Sequence, residues 1–463
     1  MNITTIKNRI QTKRLIACLS ICLMLLAGCD DFLDTQDPTG QISHENVFED
    51  EITATAAVTT LYAKLRDEVL VTGNTYGMGF LMGLYADELA YYGSAGQPAE
   101  LFYNHQILAS DATVLKLWNS SYNLIYMTNA VIEGLEASQN LTQATKEQLS
   151  GEALFIRGLT HFYLVNLFGE IPYISTTNYD RNKQVSRMAV NEVYENVISD
   201  LESAKAMLGE NYIGAERIRA NKLTVSALLA RVYLYKGEWE KAETQSSLVI
   251  NHTGLYSLPS IEGEFLKSSS GAILQLETKM EGYNTKEAET YFLAFGPPPL
   301  VALHENLLGA MEDDDLRRTH WIGEVTDGTN YWYYSSKYKQ NPGAEYSTVL
   351  RLAEQYLIRA EARAQQNNSI GAQEDLNSIR NRAGLPDTAA LTQEALLEAV
   401  LQERRVELML EQGHRWFDLK RHNRADAVLA PIKPAWRPTN ILLPIPETEL
   451  LMNPNLNPQN NGY

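Results

Sequence analysis

The chain has 463 residues, with 39 basic and 57 acidic side chains and a formal net charge of −18 at pH 7. An excess of carboxylates argues against the basic patches that phosphate backbones require, so we exclude nucleic acid as a partner. All three cysteines lie within the first 29 residues, so the body of the chain has no thiol for a disulfide or a metal site. The hydrophobic content of 44% is that of a soluble globular protein with a large core.

The first 28 residues predict an export signal. Four basic residues between Lys7 and Arg14 precede an apolar run from Leu15 to Leu26, which is the order of the two regions of such a signal. At about a dozen residues the apolar run is shorter than the ~20 that span a bilayer, so we expect the segment to be removed. Removing its four basic residues from 39 leaves 35 against 57 acidic residues, a formal charge of −22.

Cys29 follows Leu26-Ala27-Gly28, and this run resembles the lipobox of bacterial lipoproteins. In such proteins the cysteine is acylated and becomes the first residue of the mature chain. We therefore predict lipidation at Cys29 and attachment to the membrane through that lipid alone. An ordinary secretory signal with an incidental cysteine is the alternative. Residues 29–43 contain Asp, Pro and Gly and are predicted to form a tether that leads away from the lipid.

Helical periodicity dominates from residue 44 onward. Apolar and small residues recur at intervals of four, three and four in two distant segments, which places each set on one helical face. The two sets are Leu223, Ala227, Ala230 and Leu234, and Ala353, Leu357, Ala360 and Ala364. Further helices are predicted near 45–70, 113–137, 145–168, 190–208 and 392–412.

The segment 227–242 matches a tetratricopeptide repeat. Tyr233, Gly237, Trp239 and Ala242 fall where that repeat places its tyrosine, its turn glycine, an aromatic residue and a small residue of the second helix. A weaker copy spans 352–384. With the other helices these segments make about four hairpins, which should stack into a right-handed solenoid. We therefore predict an all-α fold with a single domain over residues 44–463.

Two stretches interrupt the helical pattern and are rich in aromatic residues. Gly73–Asn104 contains seven tyrosines and phenylalanines among glycines and polar residues. The irregular stretch 251–347 contains 13 aromatic residues, a higher share than the 9% of the whole chain. Long irregular insertions in a helical protein are usually functional, so we predict that these loops bind the ligand.

Several segments in the same order resemble the SusD/RagB family of Bacteroidetes outer-membrane lipoproteins. They are Cys29–Asp34, Gly151–Pro172, Glu403–Arg421, Leu443–Pro446 and Asn453–Tyr463. The resemblance spans the mature chain and implies helices that pack against a SusC-like TonB-dependent porin, with loops on the opposite side that bind a nutrient. It also implies a lipid-anchored position at the cell surface, on the outer membrane, because Asp30, Asp31 and Asp34 resemble the acidic tract that directs such lipoproteins there.

The sequence assembles no catalytic motif. It has neither a His-Glu-x-x-His pair nor a Gly-x-Ser-x-Gly turn, so we predict no enzymatic activity, no cofactor and no metal site. The run Glu312–Asp315 lacks the alternating ligands and the glycine of a calcium loop. We interpret it as a solvated acidic turn capped by Arg317 and Arg318. A surface glycan hydrolase is an alternative, because the fold rather than sequence spacing sets the separation of two catalytic carboxylates.

The charge-rich segment near the carboxyl end predicts a structural network. Glu403 and Glu407 lie four residues apart and share a helical face, while Arg404 faces another way. Past the turn at Gly413, Arg415 and Asp418 are close enough to return to these carboxylates. We interpret the segment as buried ion pairs that lock the last helix, since separating such partners is costly.

The aromatic residues fall into two groups. Those on predicted helices are assigned to packing: Trp118, Tyr122, Tyr126, Tyr163, Tyr233, Trp416 and Phe417. Those in the irregular stretches are candidate ligand-binding residues, because an exposed ring can stack on a sugar while polar neighbours bind its hydroxyls. The candidates are Tyr76, Tyr91, Tyr92, Tyr291, Trp321, Tyr331 and Trp332, with Asn74, Asp87 and Asn330 as polar neighbours.

The sequence therefore predicts a non-catalytic binding protein at the cell surface. It would capture an oligosaccharide and deliver it to a SusC-like porin. A peptide ligand on the same scaffold, as in the RagB branch, is the first alternative. A surface hydrolase and a tetratricopeptide adaptor for other proteins are the others.

Overall fold

A computed structural model describes residues 47–463 of the chain. Residues 48–463 form one compact unit. The predicted export signal, the lipidation site Cys29 and the tether 29–43 lie outside the described residues.

Eighteen α-helices account for about half of the described residues. In chain order they are α1 (Glu51–Asp67), α2 (Met78–Tyr85), α3 (Pro98–Tyr103), α4 (Ala112–Ala137), α5 (Gln143–Phe168), α6 (Tyr179–Asn182), α7 (Val190–Met207), α8 (Lys222–Lys236), α9 (Trp239–Ile250), α10 (Lys286–Tyr291), α11 (Glu305–Leu308), α12 (Leu316–Trp321), α13 (Leu352–Gln365), α14 (Ser369–Arg382), α15 (Gln393–Glu407), α16 (His414–Arg421), α17 (Ala425–Leu429) and α18 (Glu447–Met452).

Six short strands form three separate two-stranded antiparallel sheets in residues 47–463. The strands are β1 (Leu89–Tyr91), β2 (Ala272–Leu276), β3 (Val301–Leu303), β4 (Ile322–Thr326), β5 (Tyr331–Ser335) and β6 (Ser347–Arg351). Strand β1 pairs with β3, β2 with β6 and β4 with β5. Every pair involves the stretch 251–347, so this predicted irregular insertion contains small sheets as well as loops.

The long helices pack in succession along the chain. Helix α1 packs on α4, α5 on α7, α8 on α9, and α13 on α14. Neighbouring pairs meet because α4 also contacts α5, α7 contacts α8, and α9 contacts α13. This arrangement confirms the predicted all-α fold with about four helical hairpins.

The hairpin α8–α9 shows how the repeat pattern produces the fold. Asn221 begins α8, and its side-chain oxygen accepts the backbone N–H of Thr224 at 2.8 Å. Gly237 ends the helix with a φ of 73°, a left-handed conformation that glycine adopts without steric cost. Ala230 and Ala242 are fully buried, so the small residues allow neighbouring helices to approach closely.

The aromatic residues assigned to helix packing are buried with one clear exception. Trp118, Tyr163 and Tyr233 lie in the core, as do Trp416 and Phe417. Tyr122 is half-buried and donates its hydroxyl to the carbonyl of Pro172 at 2.8 Å. The packing prediction is wrong for Tyr126, which is 52% exposed because this side of α4 reaches the surface one turn later.

A buried carboxylate connects the insertion 251–347 to the helices. The Glu407 carboxylate accepts from Arg351 at 2.5 Å and from Arg317 at 3.0 Å, and it also binds Arg382. Burial alone would raise the pKa of Glu407, but the three guanidinium groups hold it well below its usual range. Arg317 also pairs with Glu403 at 2.6 Å. Both glutamates of α15 therefore share one face, as predicted.

The rest of the charge-rich segment divides between two other partners. Arg404 lies on the opposite face and binds Asp418 at 2.8 Å, so these two residues do form a buried pair. The prediction that Arg415 returns to Glu403 and Glu407 is wrong. Its guanidinium binds Asp87 at 2.7 Å instead, because α16 turns that side chain toward the segment before β1.

The acidic run at 312–315 is only partly the solvated turn that was predicted. Asp315 is 2% exposed and accepts from the buried guanidinium of Arg317 at 2.8 Å. It also caps α12 by accepting the backbone N–H of Arg317 at 2.9 Å. Glu312 remains half-exposed and binds Arg380 at 2.6 Å. The end of the run thus belongs to the buried network rather than to the surface.

Replacing Glu407 by glutamine should destabilise the fold strongly. The change leaves three buried arginines without their shared counter-charge, and breaking one side of a buried ion pair typically costs about 3–5 kcal/mol in the free energy of unfolding. Glu394→Gln, an exposed position on the same helix, is the matched control and should stay within about 0.5 kcal/mol of wild type. Urea unfolding followed by circular dichroism measures both. Equal stability of the two variants would contradict the role of this carboxylate.

Candidate functional site

The hairpin β4–β5 carries the densest group of aromatic residues in the insertion. Its turn is held by Asp327, whose carboxylate accepts the backbone N–H groups of Thr329 at 2.8 Å and Asn330 at 2.7 Å. Because side chains alternate along a strand, Trp332 and Tyr334 lie on one face of the hairpin. Tyr331 lies on the opposite face and is 59% exposed.

Trp332 and Tyr334 meet the loop that follows α10. The indole of Trp332 lies against Gly296, where any Cβ would collide with the ring. The ring of Tyr334 meets that of Phe292 edge-on, with centroids 5.4 Å apart. Phe292 is 40% exposed and Phe295 is 71% exposed. These four residues, Phe292, Phe295, Trp332 and Tyr334, are called the aromatic surface below.

A cleft lined by both polar and apolar residues adjoins the aromatic surface and shares Phe292 with it. The cleft has a cavity volume of about 450 Å³. One wall comes from Asn74 and Thr75, and the other includes Thr290 and Pro299. Lys286 and Glu289 also line it and pair with each other at 2.7 Å. Apolar surface beside a few polar groups is the usual composition of a small-molecule site.

Tyr91 and Tyr92 lie beside the same loop through strand pairing. Tyr91 is opposite Val301 in the β1–β3 sheet, and the backbone N–H of Tyr92 donates to the carbonyl of Leu300 at 2.8 Å. Tyr92 is 45% exposed and available at the surface. The hydroxyl of Tyr91 is already used, because it donates to the carbonyl of Ser94 at 2.6 Å.

Asn74, Tyr76 and Asn330 lie in turns that they help to stabilise. The side-chain oxygen of Asn74 accepts the backbone N–H of Tyr76 at 2.8 Å, which fixes the turn in one wall of the cleft. Tyr76 is 38% exposed, and the ammonium of Lys116 lies 3.5 Å from the centre of its ring. Asn330 is held in the hairpin turn at 3.2 Å from the second carboxylate oxygen of Asp327.

The expectation of an exposed ring is wrong for Trp321 and Tyr291. Trp321 is 1% exposed, donates its indole N–H to the carbonyl of Ile261 at 3.0 Å and packs edge-on against Phe265. Tyr291 is 6% exposed and packs against Phe80 with ring centroids 6.4 Å apart. Both rings lie beneath the insertion because α10 and α12 turn these side chains toward the core.

Asp87 is also buried rather than available to a ligand. It is 1% exposed and binds Arg405 and Arg415, each at 2.7 Å. Burial alone would raise the pKa of Asp87, but the guanidinium of Arg415 and then that of Arg405 lower it overall. The carboxylate therefore belongs to a structural ion pair between α15, α16 and the segment before β1.

Sequence reasoning missed three members of the aromatic surface. Phe292, Phe295 and Tyr334 were not among the candidates, although Tyr334 belongs to the run Tyr331-Trp-Tyr-Tyr334. Phe295 directly precedes Gly296-Pro-Pro-Pro299, and an aromatic residue beside such a rigid, irregular run was a usable signal. Strand alternation would have selected Tyr334 with Trp332, had the hairpin been predicted.

Comparison with known families agrees with this fold. A family model described as "Starch-binding associating with outer membrane" matches residues 31–234. A second model, described as "SusD family", matches residues 317–436. The chain belongs to the SusD/RagB family. It is thus a SusD-type protein, in a carbohydrate-binding class that associates with the outer membrane.

Individual relatives align over nearly the whole chain. SusD-like protein P2 of Formosa agariphila is 28% identical over an alignment that is 512 residues long. The alignment covers 96% of this chain and 98% of that protein. A solved SusD superfamily protein from Bacteroides vulgatus superposes with a TM-score of 0.79 at 20% identity, covering 90% of this chain and all of that one. A solved "Laminarin binding SusD-like protein" superposes with a TM-score of 0.76 at 23% identity and the same coverage.

No helix within residues 47–463 has both the length and the apolar character needed to cross a membrane.

Replacing Trp321 by alanine should destabilise the fold. The side chain is fully buried and its N–H is hydrogen-bonded, and truncating a core tryptophan costs about 3–5 kcal/mol in the free energy of unfolding. Tyr331→Ala, at an exposed ring of the adjacent hairpin, should change stability by no more than about 0.5 kcal/mol. Denaturant titration distinguishes the two. A Trp321→Ala protein as stable as wild type would show that this ring is not a core element.

Proposed function

We propose that this protein is a lipid-anchored, surface-exposed binding protein that captures an oligosaccharide and delivers it to a SusC-like TonB-dependent porin. The observation that carries the proposal is the aromatic surface beside the cleft. Membership of a family described as starch-binding and outer-membrane-associated supports both the ligand class and the location. The structural neighbour named as laminarin binding supports a glucan as the first ligand to test.

The chemistry of the surface suits a sugar ring. Phe295 and Phe292 expose apolar rings, and such a ring can stack on the C–H face of a sugar. The neighbouring cleft supplies Thr290 and the paired Lys286 and Glu289, whose polar atoms can bind hydroxyl groups. The net charge of −18 disfavours polyanionic ligands, so a neutral glycan is the better match.

In this proposal the protein binds and does not cut. Anchoring through Cys29 would keep the captured glycan near the porin, and tethering raises the effective concentration of a ligand at its next site. A peptide ligand would rely on backbone hydrogen bonds and would need fewer exposed rings. A glycan array and a peptide library, screened with the same purified protein, separate the two ligand classes.

Phe295→Ala and Trp332→Ala should each weaken glycan binding about fivefold, since stacking of one ring contributes on the order of 1 kcal/mol. Isothermal titration calorimetry with maltoheptaose and laminarihexaose measures the change, and circular dichroism checks the fold. Tyr179→Ala is the control, because Tyr179 is 75% exposed on α6, outside the aromatic surface and the cleft. Wild-type affinity in both aromatic variants would refute the role of the surface.

Cys29→Ser should release the protein from the membrane, because the thiol is the proposed attachment point of the lipid. Wild-type protein should be accessible to protease on intact cells and should co-purify with a TonB-dependent porin from detergent-solubilised membranes. The variant should appear in the soluble fraction without the porin. Continued membrane attachment of Cys29→Ser would rule out this anchor.

A further inference from the structure

A second concavity adjoins the cleft and is called the end pocket here. It has a cavity volume of about 100 Å³. Lys286 lines both concavities, while Gly73 lines the end pocket and the next two residues, Asn74 and Thr75, line the cleft. The two spaces therefore meet at one loop and one side chain.

Two buried oxygen atoms in the end pocket have no partner among residues 47–463. Glu287 is 9% exposed, and one of its carboxylate oxygens accepts from the hydroxyl of Ser347. The other, Oε2, makes no hydrogen bond in the described part of the chain, and neither does Oδ1 of Asn284. Leaving a buried acceptor unsatisfied costs about 1–3 kcal/mol, so two such atoms in one pocket call for a donor.

The backbone is built to admit this carboxylate. A Cβ at Gly73 would collide with the carboxylate of Glu287, so a larger residue at this position would have to displace that carboxylate. The pocket is also balanced in charge, since Arg66, Lys279 and Lys286 face Asp67, Glu277 and Glu287. Arg66 and Asp67 bind each other at 2.7 Å. A cationic ligand gains little from such surroundings, whereas neutral hydroxyl groups can donate to both free acceptors.

Two exposed side chains, one aromatic and one aliphatic, line the rim of the end pocket. Tyr283 and Met280 are each 51% exposed at its mouth. The turn that carries them is stabilised by the hydroxyl of Thr278, which donates to the carbonyl of Met280 at 3.0 Å. An aromatic ring above hydrogen-bond acceptors provides an apolar face and a polar base for one sugar unit.

We propose that the end pocket is a subsite for one neutral sugar residue of the same glycan, with hydroxyl groups that donate to Oε2 of Glu287 and Oδ1 of Asn284. This inference rests on the proposed function and extends it. Glycans long enough to cover both the aromatic surface and the end pocket should bind more tightly than disaccharides, which fill only one of them. The end pocket would thus select for chain length and for the position of hydroxyl groups.

Asn284→Ala and Glu287→Gln test the subsite. Each should weaken binding of maltoheptaose or laminarihexaose, whichever the wild type prefers, by about tenfold in calorimetry. Asn284→Ala removes the acceptor of a ligand hydroxyl, and Glu287→Gln leaves one acceptor oxygen for two donors, Ser347 and the ligand. Binding of the matching disaccharide at the aromatic surface should not change. Asn123→Ala, an exposed position on α4, is the control.

Thermal unfolding separates a ligand-binding role from a structural one. Asn284→Ala removes an oxygen without a hydrogen bond in the free protein, so its melting temperature should match or exceed that of wild type. If both variants keep wild-type affinity for the long glycan while Phe295→Ala weakens it, the end pocket is not a subsite and the proposed function stands. If the wild type binds neither glycan, the proposed function and the subsite both fall.

Discussion

The carboxylate of Glu407 is the contact on which the position of the candidate site depends. Its three arginine partners come from different parts of the chain: Arg317 lies at the start of α12, Arg351 at the end of β6, and Arg382 at the end of α14. Helix α12 leads directly into the hairpin β4–β5, and β6 closes the insertion 251–347. One buried carboxylate thus connects the repeat helices to both sides of the segment that presents the aromatic rings.

The presence of such a network is weak evidence for a net gain in stability. Taking several charges out of water is costly, and well-packed apolar residues could stabilise a core equally well. The pKa values of the two glutamates shift in opposite directions. Burial raises the pKa of Glu403 despite Arg317, whereas the arginines around Glu407 lower its pKa. Guanidinium groups from three segments converge on Glu407. Because an ion pair tolerates little displacement, this point of convergence defines one register between α15 and the insertion.

The sequence predicted the helices well and the site only in part, for a physical reason. Helical faces follow from local spacing, so the repeat at Tyr233 and Gly237 could be predicted from a short stretch of the sequence. The burial of a ring depends on partners far along the chain. Trp321 and Trp332 lie eleven residues apart in the same aromatic insertion, yet Trp321 packs on Phe265 with Lys337 beside it, whereas Trp332 lies against Gly296 near the surface. Composition could not distinguish them, because the contact partners are set by the tertiary fold.

The two proposed parts of the binding site recognise a glycan by different physics. Stacking on Phe295 and Trp332 depends on a flat apolar face, which many sugars offer, so it supplies affinity with little discrimination. Acceptors buried in the end pocket reward a donor at one position and penalise its absence, because Glu287 and Asn284 then stay unsatisfied. A rigid insertion is needed for the second kind of recognition more than for the first, since a hydrogen bond weakens steeply with small errors in distance and angle. The buried network around Glu407 and the unpaired acceptors in the end pocket are therefore consistent with each other. The fold keeps the part of the proposed site that selects the ligand in a fixed position.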